Sequence, residues 1–139
     1  MIIRTANKLD FPTLRKIYLE SRRESFYWAD IDKMSLEDFD KDTVGEHIII
    51  AEDQHRILGF ASLDLSHNFI HNLFVHPAAF GKGVGGHLMN ASIKKMDKPL
   101  RLKCVSKNHK ALNFYENNGW KKIIEEGELE SRYWVMEYS

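Results

Sequence analysis

Hydrophobic positions change their period several times along the chain, and each change marks an element. Met1 to Arg4 is short, apolar and β-branched, which reads as a first strand. Phe11, Leu14, Ile17, Tyr18 and Leu19 then recur at helical spacing, with Asp10 at the N-cap position and Pro12 in the first turn. The polar remainder of that helix (Lys16, Glu20, Arg22, Arg23, Glu24) reads as a solvated face. Ser35 with Asp38 three residues on predicts the cap of a short second helix running to about Asp42. Two apolar runs, His47 to Ala51 and Ile57 to Leu65, flank the polar turn E-D-Q-H-R and predict a hairpin. Asn68 to Val75 is a third strand of this group, and a glycine-rich stretch separates it from a helix marked by Leu88, Met89, Ser92, Ile93 and Met96. Pro99 breaks the pattern before a strand from Leu100 to Val105, with Leu100, Leu102 and Cys104 on one side. A helix from Lys110 to Asn118 follows, with Gly119 as its C-terminal glycine. Trp120 to Ile124 and Tyr133 to Tyr138 are two final strands across the acidic segment E-E-G-E-L-E-S.

The resulting order, βααβββαβαββ, predicts one α/β (α+β) domain over residues 1–139. Its central sheet should be mixed and largely antiparallel, flanked by helices. Hairpins at both ends argue against the regular βαβ alternation of a doubly wound sheet. A chain of 139 residues suits a single domain, and near this size roughly 68–70% of the unfolded surface is buried without need of disulfide or metal. Lysine plus arginine and aspartate plus glutamate number 20 each. That balance offers no electrostatic footprint for nucleic acid or an anionic membrane. The one cysteine, Cys104, excludes an internal disulfide and the metal patterns built on paired cysteines, so no metal is expected. No secretory signal is legible, and no run approaches the about 18 apolar residues of a membrane span. A cytoplasmic protein is the expectation. The apolar C-terminal segment (Tyr133, Trp134, Val135, Met136, Tyr138) would suit either a homodimer contact or a core strand.

The chemistry concentrates at Gly81-Lys82-Gly83-Val84-Gly85-Gly86. Strand, glycine loop and helix start, in that order, make an anion site. Glycines let backbone N–H groups approach a ligand, and the helix N-terminus adds unpaired donors and the positive end of its dipole. Four glycines in six residues carry a conformational-entropy cost that packing does not repay. Gly81, Gly83 and Gly86 satisfy G-x-G-x-x-G, but the acidic residue that a dinucleotide fingerprint needs at the end of the next strand is absent, as is the P-loop pattern.

Two segments together carry a more specific signal. L-F-V-H-P-A-A-F-G-K-G-V-G-G resembles the Q/R-x-x-G-x-G/A motif of the GNAT superfamily of acyl-CoA-dependent N-acyltransferases. N-H-K-A-L-N-F-Y-E-N-N-G-W is similar to that superfamily's second motif of Asn, Ala, Phe-Tyr and Gly-aromatic. The resemblance covers nearly the full length, with elements in the same order. It implies acetyl-CoA as co-substrate, with its pyrophosphate on the amides of Gly81, Lys82, Gly83, Val84, Gly85 and Gly86. It implies backbone pairing of the pantetheine arm with Leu73, Phe74 and Val75, an arm contact from Asn108, and Tyr115 as the acid that protonates the leaving thiolate. The chain departs from the motif at Phe80, where the family has glutamine or arginine. That side chain is not the source of the amide cradle, so cofactor binding is expected to survive.

On its own chemistry Tyr115 suits the role, because a phenol of pKa about 10 holds its proton at neutral pH and can give it to a thiolate. The strand after Pro99 (R-L-K-C-V-S) offers no carboxylate as base. His71 is the candidate, expected to alternate with Leu73 and Val75 on one strand face and carrying an imidazole, the side chain whose ordinary range suits a base; His67 and Asp64 are fallbacks, and His76, beside the loop, suits that role and a structural hydrogen-bonding one equally. Phe26, Tyr27 and Trp28, with Asp30 and Asp32, are the candidate acceptor wall, since aromatic faces and carboxylates suit a cationic amine. Cys104 reads as core rather than an acyl carrier. The expected activity is transfer of an acetyl group to a primary amine, a small molecule more readily than a peptide. The rival is an acyl-CoA-binding sensor without catalysis.

Overall fold

In the computed structural model, which describes every residue from Met1 to Ser139, the apolar runs become one seven-stranded sheet. Its strands are β1 (Ile2–Thr5), β2 (His47–Asp53), β3 (Arg56–Asp64), β4 (Phe69–Val75), β5 (Leu100–Val105), β6 (Lys121–Glu126) and β7 (Tyr133–Tyr138). The helices are α1 (Phe11–Ser25), α2 (Asp38–Asp42), α3 (Val84–Lys94) and α4 (His109–Asn117). In space the strands run β1-β2-β3-β4-β5-β7-β6. Every pairing is antiparallel except β4 with β5, which are joined through α3 as parallel neighbours must be. The mixed, largely antiparallel sheet expected from the sequence is the fold.

The parallel pair positions everything else. It holds only at Phe69↔Arg101 and Ile70↔Leu102. Beyond Ile70 the two strands part, so the β5 side of His71 to Val75 has no strand partner, while the other side stays paired to β3 as far as Val75. A cleft opens where they diverge.

Two clusters hold the layers together. Against α1 and α2 the sheet presents aromatics: Tyr18, Phe39, Phe60 and Phe74 meet edge-on or tilted at centroid distances of 5.0 to 6.3 Å. The cluster that includes α3 is mainly aliphatic, with Leu88, Met89, Leu100, Leu102, Leu112 and Met136 among its buried members. Val135 and Met136 of β7 are buried between β5 and β6, so the C-terminal apolar segment is largely taken by the core. The β2–β3 turn is tighter than the polar run suggested. Only Gln54 and His55 lie outside the strands, both at positive φ, as the twist of a two-residue hairpin turn requires.

Two charged residues differ from their sequence reading. Asp10 stands at the N-cap of α1 but caps nothing there. Its carboxylate instead receives both terminal nitrogens of Arg4 at 2.9 Å and the Asn7 amide at 2.9 Å. Arg22, expected on a solvated face, is 7% exposed. Its guanidinium lies 3.8 Å from the Tyr18 ring centroid and donates twice to Asp38 at 3.1 Å. Asp38 in turn accepts from the Ser35 amide and hydroxyl, so the expected Ser35–Asp38 cap is present with the carboxylate as acceptor. This network ties the start of α2 to α1, and with it the intervening segment 26–37.

Candidate active site

The cleft begins at the end of β4. His76 terminates the strand with both ring nitrogens in use: Nδ1 accepts from the Ala78 amide at 3.1 Å and Nε2 donates to Glu20 at 2.7 Å. That bonding caps a 3-10 turn, Pro77–Ala79, and of the two roles open to His76 it fits the structural one. Gly81 and Gly83 follow at φ of +80° and +78°, which only glycine adopts without strain. Gly83 caps α3, and no amide from Gly81 to Gly86 donates to another backbone group; the ladder begins with His87 to Gly83. Six successive N–H groups are therefore free at a helix N-terminus. A Cβ built on Gly81, Gly83 or Gly86 would meet no atom within 4 Å, whereas one on Gly85 would come within 3.2 Å of the Phe114 ring. Open space above the loop and a packing contact beneath it account for these glycines.

The cleft, about 330 Å³, is lined by Leu73, Phe74 and Val75 of β4, by Phe80 and loop glycines, and by Asn108, Lys110, Ala111, Phe114 and Tyr115. Ser21, Ser25 and Phe26 close it on the α1 side. Because the edge of β4 is unpaired here, alternate backbone groups along Leu73 to Val75 face the cleft. Asn108 uses its side-chain oxygen to cap α4 at the Ala111 amide, 3.2 Å away, which fixes its place on the wall. Lys82 is different: its side chain lines a separate, charged cavity beside α1, leaving only its amide with the cradle.

Tyr115 packs edge-on against Phe114 and Trp120 at 5.4 and 6.2 Å. Burial pushes its hydroxyl pKa up from the ordinary tyrosine value, with a further rise from Cys104, and no hydrogen bond offsets it. The group is a firmly held proton on the wall of an apolar cleft. Cys104 is a core residue, its thiol pushed up to about 12 by burial, so it has no thiolate to offer as an acyl carrier.

A model of the acetyltransferase (GNAT) family matches residues 11–120, most of the chain and all of the cleft-lining residues. The chain belongs to the GNAT family of acetyltransferases. It is 31% identical over 137 residues to an uncharacterized N-acetyltransferase, YhfO, of Bacillus subtilis, covering 88% of this chain and 91% of that one. It is 25% identical over 146 residues to the peptidyl-lysine N-acetyltransferase YiaC of Escherichia coli, covering 99% and 96% of the two chains. Among solved structures it shares its fold with the PaiA N-acetyltransferase of Thermoplasma acidophilum in complex with coenzyme A, at a TM-score of 0.78 and 23% identity, covering 99% and 97% of the two chains.

Within this GNAT fold the candidate base needs a correction to its geometry. The expected alternation of His71 with Leu73 and Val75 does not hold. Ser62 pairs with Asn72 and Leu63 with Ile70, so His71 is the extra residue of a β-bulge. The bulge turns its ring away from the cleft wall and onto Glu46, whose Oε1 lies 2.8 Å from Nδ1. His71 is thus the first residue past the last β4–β5 pair, beside the apex of the cleft rather than inside it. His67 and Asp64 bond one another at 2.8 Å in the exposed β3–β4 turn, outside the cleft.

The acceptor-wall candidates divide. Phe26 lines the cleft, stacked on Trp28 at 4.7 Å and tilted on Phe74 at 5.9 Å. Trp28 backs it, and neither it nor Tyr27 is a lining residue. Tyr27, largely exposed, donates from its hydroxyl to the Lys107 carbonyl at 2.7 Å and so links the segment after α1 to the loop before α4. Asp30 caps its own 3-10 turn at the Asp32 amide. Sequence reasoning missed Ser21, Ser25, Lys110 and Phe114. For the two serines the signal was their i, i+4 spacing at the end of α1; for Lys110 and Phe114 it was adjacency to Asn108 and Tyr115.

Proposed function

We propose that the chain transfers an acetyl group from acetyl-CoA to a primary amine by direct attack, with Tyr115 as general acid and His71 as general base through water. One observation carries this reading: a glycine loop with free amides and a partly buried phenol that desolvation keeps protonated line one cleft. When bound, acetyl-CoA would supply an activated acyl group and a thiolate as leaving group. The amides of Gly81 to Gly86 would hold its diphosphate, a dianion matched to a row of donors at a helix N-terminus. The exposed edge of β4 at Leu73 to Val75 would pair with the amide groups of the pantetheine arm, as an added strand pairs with a sheet edge. Tyr115 keeps its proton at neutral pH and delivers it to the departing sulfur.

His71 has support from its bonding rather than from the strand face. Glu46 is nearly buried, at 12% side-chain exposure, and lies 2.8 Å from Nδ1; in the neutral tautomer that donates to it, Nε2 carries the lone pair a base needs. The ring is 48% exposed, which leaves room for a water on Nε2 as the link to an amine in the cleft. Phe26, with Tyr27 and Trp28 behind it, would wall the acceptor. The acceptor we favour is a small-molecule primary amine. Lysine in a peptide is the second reading, favoured by the name of the YiaC relative.

The test is release of free thiol from acetyl-CoA over a panel of polyamines, amino sugars, arylalkylamines, amino acids and lysine-containing peptides. Turnover with a small amine supports the first acceptor class, and turnover with peptides alone moves the assignment to the second. Coenzyme A binding with no thiol release from any amine overturns the catalytic reading in favour of a sensor.

A further inference from the structure

The cleft lining contains no carboxylate and a single cation, Lys110. Its Nζ sits 4.3 Å from the centroid of the Phe80 ring, which lines the same cleft. Neighbouring lysines are engaged elsewhere. Lys107 is paired with Glu130, and Lys82, though on the glycine loop, lines the cavity on the other side. Lys110 forms no ion pair in the structure, and it is the second residue of α4, lining the same cleft as the glycine loop that carries the free amides.

We propose that Lys110, held over the Phe80 ring, is the side chain that neutralises the diphosphate of coenzyme A. This rests on the reading above that the loop amides cradle that group. The amides offer partial charges only, while a diphosphate brings full negative charge into a cleft whose other lining is mostly apolar. An ammonium group suits a phosphate as a compact point charge, but it rides on a flexible stem. An aromatic face beneath it restricts where the charge sits, by attraction to the ring's negative face. Phe80 thereby gains a function: where the motif offers a glutamine or arginine, this chain supplies a platform, and the charge arrives from α4.

The experiment is calorimetric titration of coenzyme A and of dephospho-coenzyme A into the wild-type chain and three variants, Lys110→Met, Lys110→Arg and Phe80→Leu. Lys110→Met should weaken both ligands about tenfold, the scale of one charge-assisted hydrogen bond, and should make affinity less sensitive to salt. Lys110→Arg should keep most of the affinity, and Phe80→Leu should weaken it about threefold through the lost platform. Lys110 is exposed, so its variants fold and carry the test without the Phe80 variant. Equal affinity in Lys110→Met and wild type overturns the proposal. So does a loss confined to coenzyme A, which would place the lysine on the 3′-phosphate. Failure of the wild type to bind either ligand defeats the proposed function instead, and is a distinct outcome.

Discussion

The two halves of the cleft are built from different material. On one side, the loop from Gly81 to Gly86 and the edge of β4 offer backbone, with positive φ at Gly81 and Gly83 and six unpaired amides. On the other, the segment from Phe26 to Met34 stays in place through side chains: Phe26 on Trp28 and Phe74, Tyr27 on the Lys107 carbonyl, and the Arg22–Asp38 pair behind them. A half made of backbone tolerates little change at its glycines, which suits the one constant ligand of the proposed reaction, coenzyme A. A half made of side chains can be respecified one residue at a time, which suits an acceptor that differs from one enzyme to the next. The contrast predicts that damage on the first side removes cofactor binding outright, while damage on the second grades acceptor use.

The largest effect should come from Gly83→Val. A β-branched residue at φ +78° costs about 1–2 kcal/mol, and relief of that strain moves the amides that follow. Coenzyme A affinity should fall by about a hundredfold or more, since losing two charge-assisted hydrogen bonds at about 1.5–3 kcal/mol each is enough for that. Titration calorimetry checks it, and retained affinity would break the claim that this half is a backbone frame. Tyr115→Phe comes next. It should lower kcat about a hundredfold, the usual worth of a positioned acid, with coenzyme A affinity nearly unchanged. A fully active variant removes Tyr115 from the mechanism and leaves the cleft with a cofactor frame alone.

The same contrast explains what was legible in the sequence. Glycines at Gly81 and Gly83 announce a backbone conformation directly, and Asn108 and Tyr115 announce themselves through a fixed spacing, so their meeting in one cleft was readable. The strand order followed from hairpins and one crossover. His71 was misplaced because a bulge inserts one residue without any mark in the hydrophobic pattern, and one residue reverses a strand face. Arg22 was misread because its partner, Asp38, is sixteen positions away in sequence. A charged residue on a helix reads as solvated until tertiary structure brings its counter-ion. Lys110 was passed over for a related reason: nothing in N-H-K-A says that a lysine will lie on a ring thirty residues upstream. Local backbone chemistry is written locally, and side-chain partnerships are not.

Arg22→Met sharpens the comparison from the acceptor side. Methionine fills much of the stem's space but removes both guanidinium hydrogen bonds to Asp38, leaving it only the exposed Lys41 ammonium at 3.7 Å, at a cost of about 1.5–3 kcal/mol for charged hydrogen bonds. The acceptor KM should rise, with coenzyme A affinity held. The effect also has a pH signature. The Ser35 amide and Arg22 hold the Asp38 carboxyl below the ordinary aspartate range. A carboxyl depressed in the folded state stabilises fully above its unfolded pKa of about 4, and that stability drains as pH falls through the folded value. Urea unfolding should therefore separate wild type from variant most at pH 7 and less as pH drops below about 4. A gap of constant size would mean that packing, not charge, accounts for the loss.

Tyr27→Phe should have the smallest effect. It removes one exposed hydroxyl and one hydrogen bond, to the Lys107 carbonyl, while leaving the ring against Trp28. A neutral hydrogen bond contributes about 0.5–1.5 kcal/mol, and the exposure of this one puts it at the lower end. The expected change is a rise of about two- to threefold in acceptor KM, with kcat and coenzyme A affinity unchanged. If coenzyme A affinity falls by the same factor, the link across the cleft braces the α4 side, and the two halves are not independent. If only acceptor KM moves, Tyr27 belongs to the side that can be respecified, and substitution there would retune the acceptor without disturbing the cofactor frame.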